Sequence, residues 1–140
     1  MPERAEDLGV YLHLAREYER RQQQLDSDRM LLLAGVIAAR INLESVAAYC
    51  RERILANNPG HQIRRWNTLP EALADESFCA YLKQFRRRYP IENAERILAE
   101  MGIQMAQERA VYYDDAEYAA AILGKSSEEL DALYRNSDPD

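Results

Sequence analysis

Two short basic stretches carry the side chains best suited to gripping another molecule. Arg64-Arg65-Trp66 lies in an irregular segment, and Arg86-Arg87-Arg88 closes a helical pattern just before Pro90. Arginine offers a planar fork that pairs with phosphate or carboxylate, and tryptophan anchors interfaces. The chemistry they suggest is binding of an anion, a nucleic-acid backbone or a protein partner. A plainer account stands beside it. Trp66 and Ile63 can fold back over the core while Arg64 and Arg65 point to water. Cations in the last turn of a helix also complement its dipole by about 0.3 to 1 kcal/mol each when exposed. That explanation covers Arg86 to Arg88 and equally Arg51 and Arg53.

Catalytic chemistry has little to draw on. There is no glycine-rich phosphate loop, dinucleotide fingerprint or nucleophile elbow. His13 and Glu17 are four apart and would share a helix face, but two ligands do not make a metal site, and the paired Glu-x-x-His motifs of di-iron bundles are missing. Adjacent acids such as Asp114-Asp115 and Glu128-Glu129 point different ways on a helix and read as solvated surface. Cys50 and Cys79 are isolated, each beside apolar residues, and read as small buried hydrophobes rather than a disulfide or thiolate site. No cofactor and no metal is expected, and no catalytic residue can be named.

Charge weighs against nucleic acid. The net charge is −6, and residues 114–140 hold eight acids against Lys125 and Arg135, so the C-terminal fifth carries all of the excess. The stretch Leu98 to Ile103 followed by a helix has the look of a helix-turn-helix. Its recognition helix, expected over Gln104 to Leu123, would present Glu108, Asp114, Asp115 and Glu117 against Arg109 alone. Phosphates repel such a helix.

These side chains are positioned by helices. Met30 to Ala39 is an unbroken apolar run, and Leu32, Val36, Ala39, Leu43, Val46, Cys50 and Ile54 continue it at spacings of three or four. The pattern predicts one long helix over about 28–56. Spanning a membrane takes about 20 apolar residues, whereas Arg40, Asn42 and Glu44 end this run after ten. A buried central helix is expected instead. Gly35 among Ala34, Ala38 and Ala39 thins it and marks where another element can cross closely.

The first helix is expected over Glu3 to Leu25, joined to the second through Asp26-Ser27-Asp28. After Asn57-Asn58-Pro59-Gly60 comes the loop of Trp66. Thr68-Leu69-Pro70-Glu71 resembles a capping box, a break is expected near Asp75-Glu76-Ser77, and Gly102 and Gly124 read as helix caps. Ser126-Ser127-Glu128-Glu129 opens a last turn or two, with Leu130, Leu133 and Tyr134 inward.

The fold class is therefore all-α: a compact bundle of five or six helices around a central buried helix, with residues 1–135 as a single domain and 136–140 as a disordered tail. The acidic start lacks the order of a signal peptide, which makes a cytoplasmic location the expectation. Nine tyrosines against two phenylalanines favour half-buried edges and interfaces. Together these features suggest a non-enzymatic protein-interaction module that associates with itself or with a protein partner, away from membranes. The alternative is a domain binding an anionic ligand or nucleic acid through Arg64, Arg65, Trp66, Arg86, Arg87 and Arg88.

Overall fold

The computed structural model describes residues 3–103 and 108–134, and all the regular structure it describes is helical. Eight α-helices follow one another among the described residues: α1 Ala5–Arg20, α2 Gln24–Arg40, α3 Glu44–Asn57, α4 Leu69–Leu73, α5 Glu76–Arg88, α6 Ile91–Glu100, α7 Asp115–Ile122 and α8 Ser127–Tyr134. Two 3-10 turns, Gln62–Arg65 and Glu108–Val111, complete the set. The all-α expectation holds. The helix count exceeds the five or six expected, and the reason lies in how the helices end.

The single helix expected over 28–56 is two helices. α2 stops at Arg40, Asn42 takes a left-handed φ of 65°, and α3 starts at Glu44. The amides of Leu43 and Asn42 turn back to the carbonyls of Ala38 (2.8 Å) and Ala39 (3.3 Å). This is a Schellman closure, which satisfies carbonyls the helix end leaves without partners. α1 closes in the same way. Gln22 sits at φ 62°, and Gln23 and Gln22 donate to Tyr18 (2.8 Å) and Glu19 (3.0 Å). The first connection is therefore Arg21 to Gln23 rather than Asp26 to Asp28. Those last residues belong to the first turns of α2, where Ser27 and Asp28 are buried and Ser27 Oγ donates to the Ala15 carbonyl at 3.0 Å.

α1 packs along α2, and α2 along α3. Leu8, Leu12 and Leu14 of α1, Met30 to Ala38 of α2, and Val46, Cys50 and Ile54 of α3 are all buried in one apolar cluster, which also takes in Phe78, Leu82, Leu98, Ala119 and Leu130. Full burial of an aliphatic side chain contributes roughly 1.5 to 3 kcal/mol. Gly35 permits the close approach. A Cβ there would stand 2.5 Å from Leu69 Cδ1 and 3.0 Å from Cys50 Cβ.

Side-chain caps fix the shorter helices. Thr68 Oγ1 accepts from the Glu71 amide (3.2 Å), while Glu71 Oε2 takes the Asn67 amide (2.9 Å). The break near Asp75 is real, with Asp75 capping α5. Ser126 and Glu129 exchange bonds of 3.1 and 2.9 Å ahead of α8. The long helix expected over Gln104 to Leu123 is shorter. Asp114 caps α7 by accepting from Glu117 at 2.9 Å, so the helix begins only at Asp115. Residues 104–107 and the expected tail, 136–140, fall outside the described residues. Leu133, expected inward, is exposed, and so is Leu25. No helix among the described residues is long and apolar enough to cross a membrane.

Candidate functional site

α5 leans on α4 rather than lying along α2, and the space left between α2 and α5 is a cleft of about 240 Å³. α2 lines it with Leu25, Asp28, Arg29 and Leu32, a single helix face. α5 lines it with Tyr81, Phe85 and Arg88, its C-terminal cap adds Tyr89, and the turn after α3 adds Asn58 and His61. Along α5 and its C-terminal cap the rings form a row of tilted contacts. Tyr81 lies 5.5 Å from Phe85, and Phe85 lies 5.1 Å from Tyr89. Tyr89 is held from behind, since Tyr11 donates its hydroxyl to the Tyr89 carbonyl at 2.8 Å.

Asp28 is the unusual group. It is only 6% exposed, on a helix face that it shares with Leu25 and Leu32. Asn57 Nδ2 donates to Oδ1 at 3.0 Å. The other oxygen has no hydrogen-bond partner among the described residues. No side-chain oxygen or nitrogen there is both inaccessible and unpartnered, so this one opens onto the cleft. Burial raises the Asp28 carboxyl above the usual aspartate value, against the opposing pull of Asn57 and His61. Burial lowers His61 below the usual histidine value, with the charge of Asp28 opposing it. His61 Nδ1 accepts from the Ile63 amide at 3.1 Å, so the neutral ring carries its proton on Nε2.

The cations at the cleft differ in their commitments. Arg29 is 3.3 Å from Asp26 on its own helix and lies over the Tyr89 ring, 5.6 Å from its centre. Arg88 is paired with no acid among the described residues. A second, larger cleft of about 380 Å³ lies between α1, α3 and α8, but its charged groups largely answer one another. There Arg53 pairs with Glu19, Tyr134 donates to Glu52, and Arg16 donates to the Ile122 carbonyl.

The six residues singled out from sequence are placed as follows. Arg64 and Arg65 are exposed, and Arg65 lies over the Trp66 ring at 5.1 Å. Trp66 folds back on the core. Its ring meets Phe78 edge-on at 5.2 Å, its Nε1 donates to Asp75 at 3.2 Å, and Arg51 donates to its carbonyl through Nε (3.1 Å) and Nη2 (2.8 Å). Arg86, Arg87 and Arg88 diverge. Arg86 grips Glu3 with bonds of 2.8 and 3.3 Å, Arg87 is exposed, and Arg88 alone of the three lines the cleft. Burial would raise Glu3, but the guanidiniums of Arg86 and Arg40 hold it below the usual glutamate value. Arg86 therefore pins the N-terminal segment to α5.

The other chemistry is quiet. Cys50 is fully buried, and burial pushes its thiol up to about 12, far from a reactive thiolate. No group of three His, Cys, Asp or Glu side chains able to hold a metal occurs among the described residues. Sequence reasoning missed Asp28, His61, Tyr81 and Tyr89. A usable signal was present in Leu25, Asp28 and Leu32, an acid set at a core position of a helix face, and in the four-residue spacing of Tyr81, Phe85 and Tyr89.

No known family model matches the chain, and neither a curated protein nor a solved structure does.

Proposed function

We propose that the chain is a non-enzymatic binding module whose recognition element is the cleft between α2 and α5. One observation carries this reading. A carboxylate is kept almost wholly buried, with an accepting oxygen turned into a cleft walled by aromatic rings and edged by guanidiniums. Burial of an acid with one hydrogen bond works against stability. Concave, largely apolar sites with a few convergent polar groups are where ligands bind, and perturbed titratable groups cluster at functional positions. Asn58, exposed on the cleft wall, gives access to a test. Screening a chemically diverse fragment library by saturation-transfer NMR should return binders of the wild type that are lost in Asn58→Trp, which fills the cleft. Binders indifferent to that change, or no binders, would count against the cleft as the recognition element.

Association of two copies is a second reading, supported by a separate observation. Val111 and Tyr113, just before α7, are 77% and 89% exposed. Exposed apolar and tyrosine side chains close in sequence are what protein contacts use. Sedimentation velocity of the wild type against Val111→Ser with Tyr113→Ser tests it, and a monomer at every concentration for the wild type would end it.

A further inference from the structure

We propose that the cleft between α2 and α5 takes a small zwitterion of the amino-acid class, its ammonium meeting Asp28 and its carboxylate meeting Arg88. The proposal rests on reading this cleft as the recognition element. It follows from which charges there are already satisfied. Asp28 accepts one bond from Asn57 and keeps an open oxygen, and an ionised carboxylate can accept about four. Its neighbour His61 spends Nδ1 on the Ile63 amide and makes no hydrogen bond to Asp28 among the described residues. Arg29 is occupied by Asp26 and the Tyr89 ring, whereas Arg88 has no acid partner among the described residues.

A cleft holding one spare acid and one spare base discriminates by sign. A simple cation would answer Asp28 but face Arg29 and Arg88. A simple anion would answer Arg88 but face Asp28. A molecule with both charges meets each with its opposite, and in a site partly withdrawn from water both attractions are strengthened. The walls supply the rest. Leu32, Phe85 and Tyr81 offer an apolar and aromatic surface for a side chain, and about 240 Å³ leaves room for a small one. Arg29 over Tyr89 shows that the cleft's aromatic wall already holds a cationic group at 5.6 Å.

The test is isothermal titration of the full chain near neutral pH with each of the common amino acids. Phenethylamine, which lacks the carboxylate, and N-acetyl-phenylalanine, which lacks the ammonium, are titrated beside phenylalanine. At least one apolar or aromatic amino acid should bind. Its affinity should fall roughly tenfold or more in Asp28→Asn and in Arg88→Gln, and the half-charged analogues should be weaker than phenylalanine by a similar factor. Asp28→Asn relieves a buried charge and should fold, which a thermal melt checks. Three outcomes overturn the proposal. If no amino acid gives heat while Asn58→Trp still abolishes fragment binding, the zwitterion is wrong and the cleft reading stands. If phenethylamine binds as tightly as phenylalanine, the cleft is a cation site instead. If an amino acid binds equally well to Asn58→Trp, both the zwitterion site and the cleft reading fall.

Discussion

Tyr118 on α7 lies directly against Gly9 on α1, so close that a Cβ on Gly9 would stand 2.7 Å from the Tyr118 ring carbon bearing the hydroxyl. Both residues are buried. This is the point where α7 is seated on α1, and a helix glycine ordinarily weaker than alanine by about 1 kcal/mol is retained there because nothing larger fits.

Gly9→Ala should therefore destabilise the chain by about 1 to 3 kcal/mol, the usual range for overpacking, although propensity alone would make it stabilising. Tyr118→Leu shortens the opposing side chain and should restore part of the loss when combined with Gly9→Ala. Urea denaturation of the two single variants and the double variant measures this. Additive losses in the double variant would show that the two positions are not in contact.

Gly35 is a milder case of the same kind. Its nearest obstacle is the end of the Leu69 side chain, 2.5 Å from where a Cβ would stand, with Cys50 Cβ at 3.0 Å. A terminal methyl can move, so Gly35→Ala should cost about 1 kcal/mol or less, whereas Gly35→Leu should cost several as α3 and α4 are pushed off α2. Thermal melts of the two variants separate these cases. Equal stability in both would mean that the close packing around α2 is misplaced.

The left-handed helix ends give a prediction of opposite sign. Gln22 and Asn42 hold φ of 62° and 65°, while Gly102 and Gly124 do the same at 82° and 74°. A left-handed residue with a Cβ is disfavoured by about 1 to 2 kcal/mol, less for asparagine. Gln22→Gly should raise stability by about 1 kcal/mol, after allowing for the greater freedom of glycine in the unfolded chain. Asn42→Gly should gain less, and Asn42→Val should lose about 1 to 2 kcal/mol. Chemical denaturation reads all three.

These same positions show what was legible. The ends at Gly102 and Gly124 could be read from sequence because glycine announces a left-handed cap. The ends at Gln22 and Asn42 use the same hydrogen bonds without glycine, and the apolar spacing runs on past them. Two of the expected helix limits failed there. Local chemistry was readable wherever a side chain itself caps, as at Thr68 and Ser126. The cleft was not, because it depends on α5 packing on α4 and leaving α2, a tertiary fact that no local pattern encodes. Asp28 was hidden for a related reason. With the first connection assigned to Asp26-Ser27-Asp28, an acid there looked like turn chemistry, whereas about one further helical turn, from Gln24, places it in the cleft wall.

Asp28 also yields a pH signature. Burial raises its folded value above the unfolded aspartate value of 3.8. Relative to the unfolded chain, the folded chain thus favours the neutral form. Stability linked to this group is fully present below about pH 3.8 and is lost as pH rises through the higher folded value. Asp28→Asn keeps the shape and the contact to Asn57 but cannot ionise. Its stability advantage over the wild type should be small in acid, grow as pH rises from about 3.8 to the folded Asp28 value, and level off above it. Saturating amounts of a ligand that answers the carboxylate should reverse the order, since ligand bound to the folded state alone stabilises it by mass action. Denaturation curves of both proteins across pH 3 to 7 measure the first effect, and thermal shifts with and without ligand measure the second. An Asp28→Asn variant less stable than the wild type at neutral pH without ligand would identify the carboxylate as a structural anchor of α2 on α3, held there for Asn57.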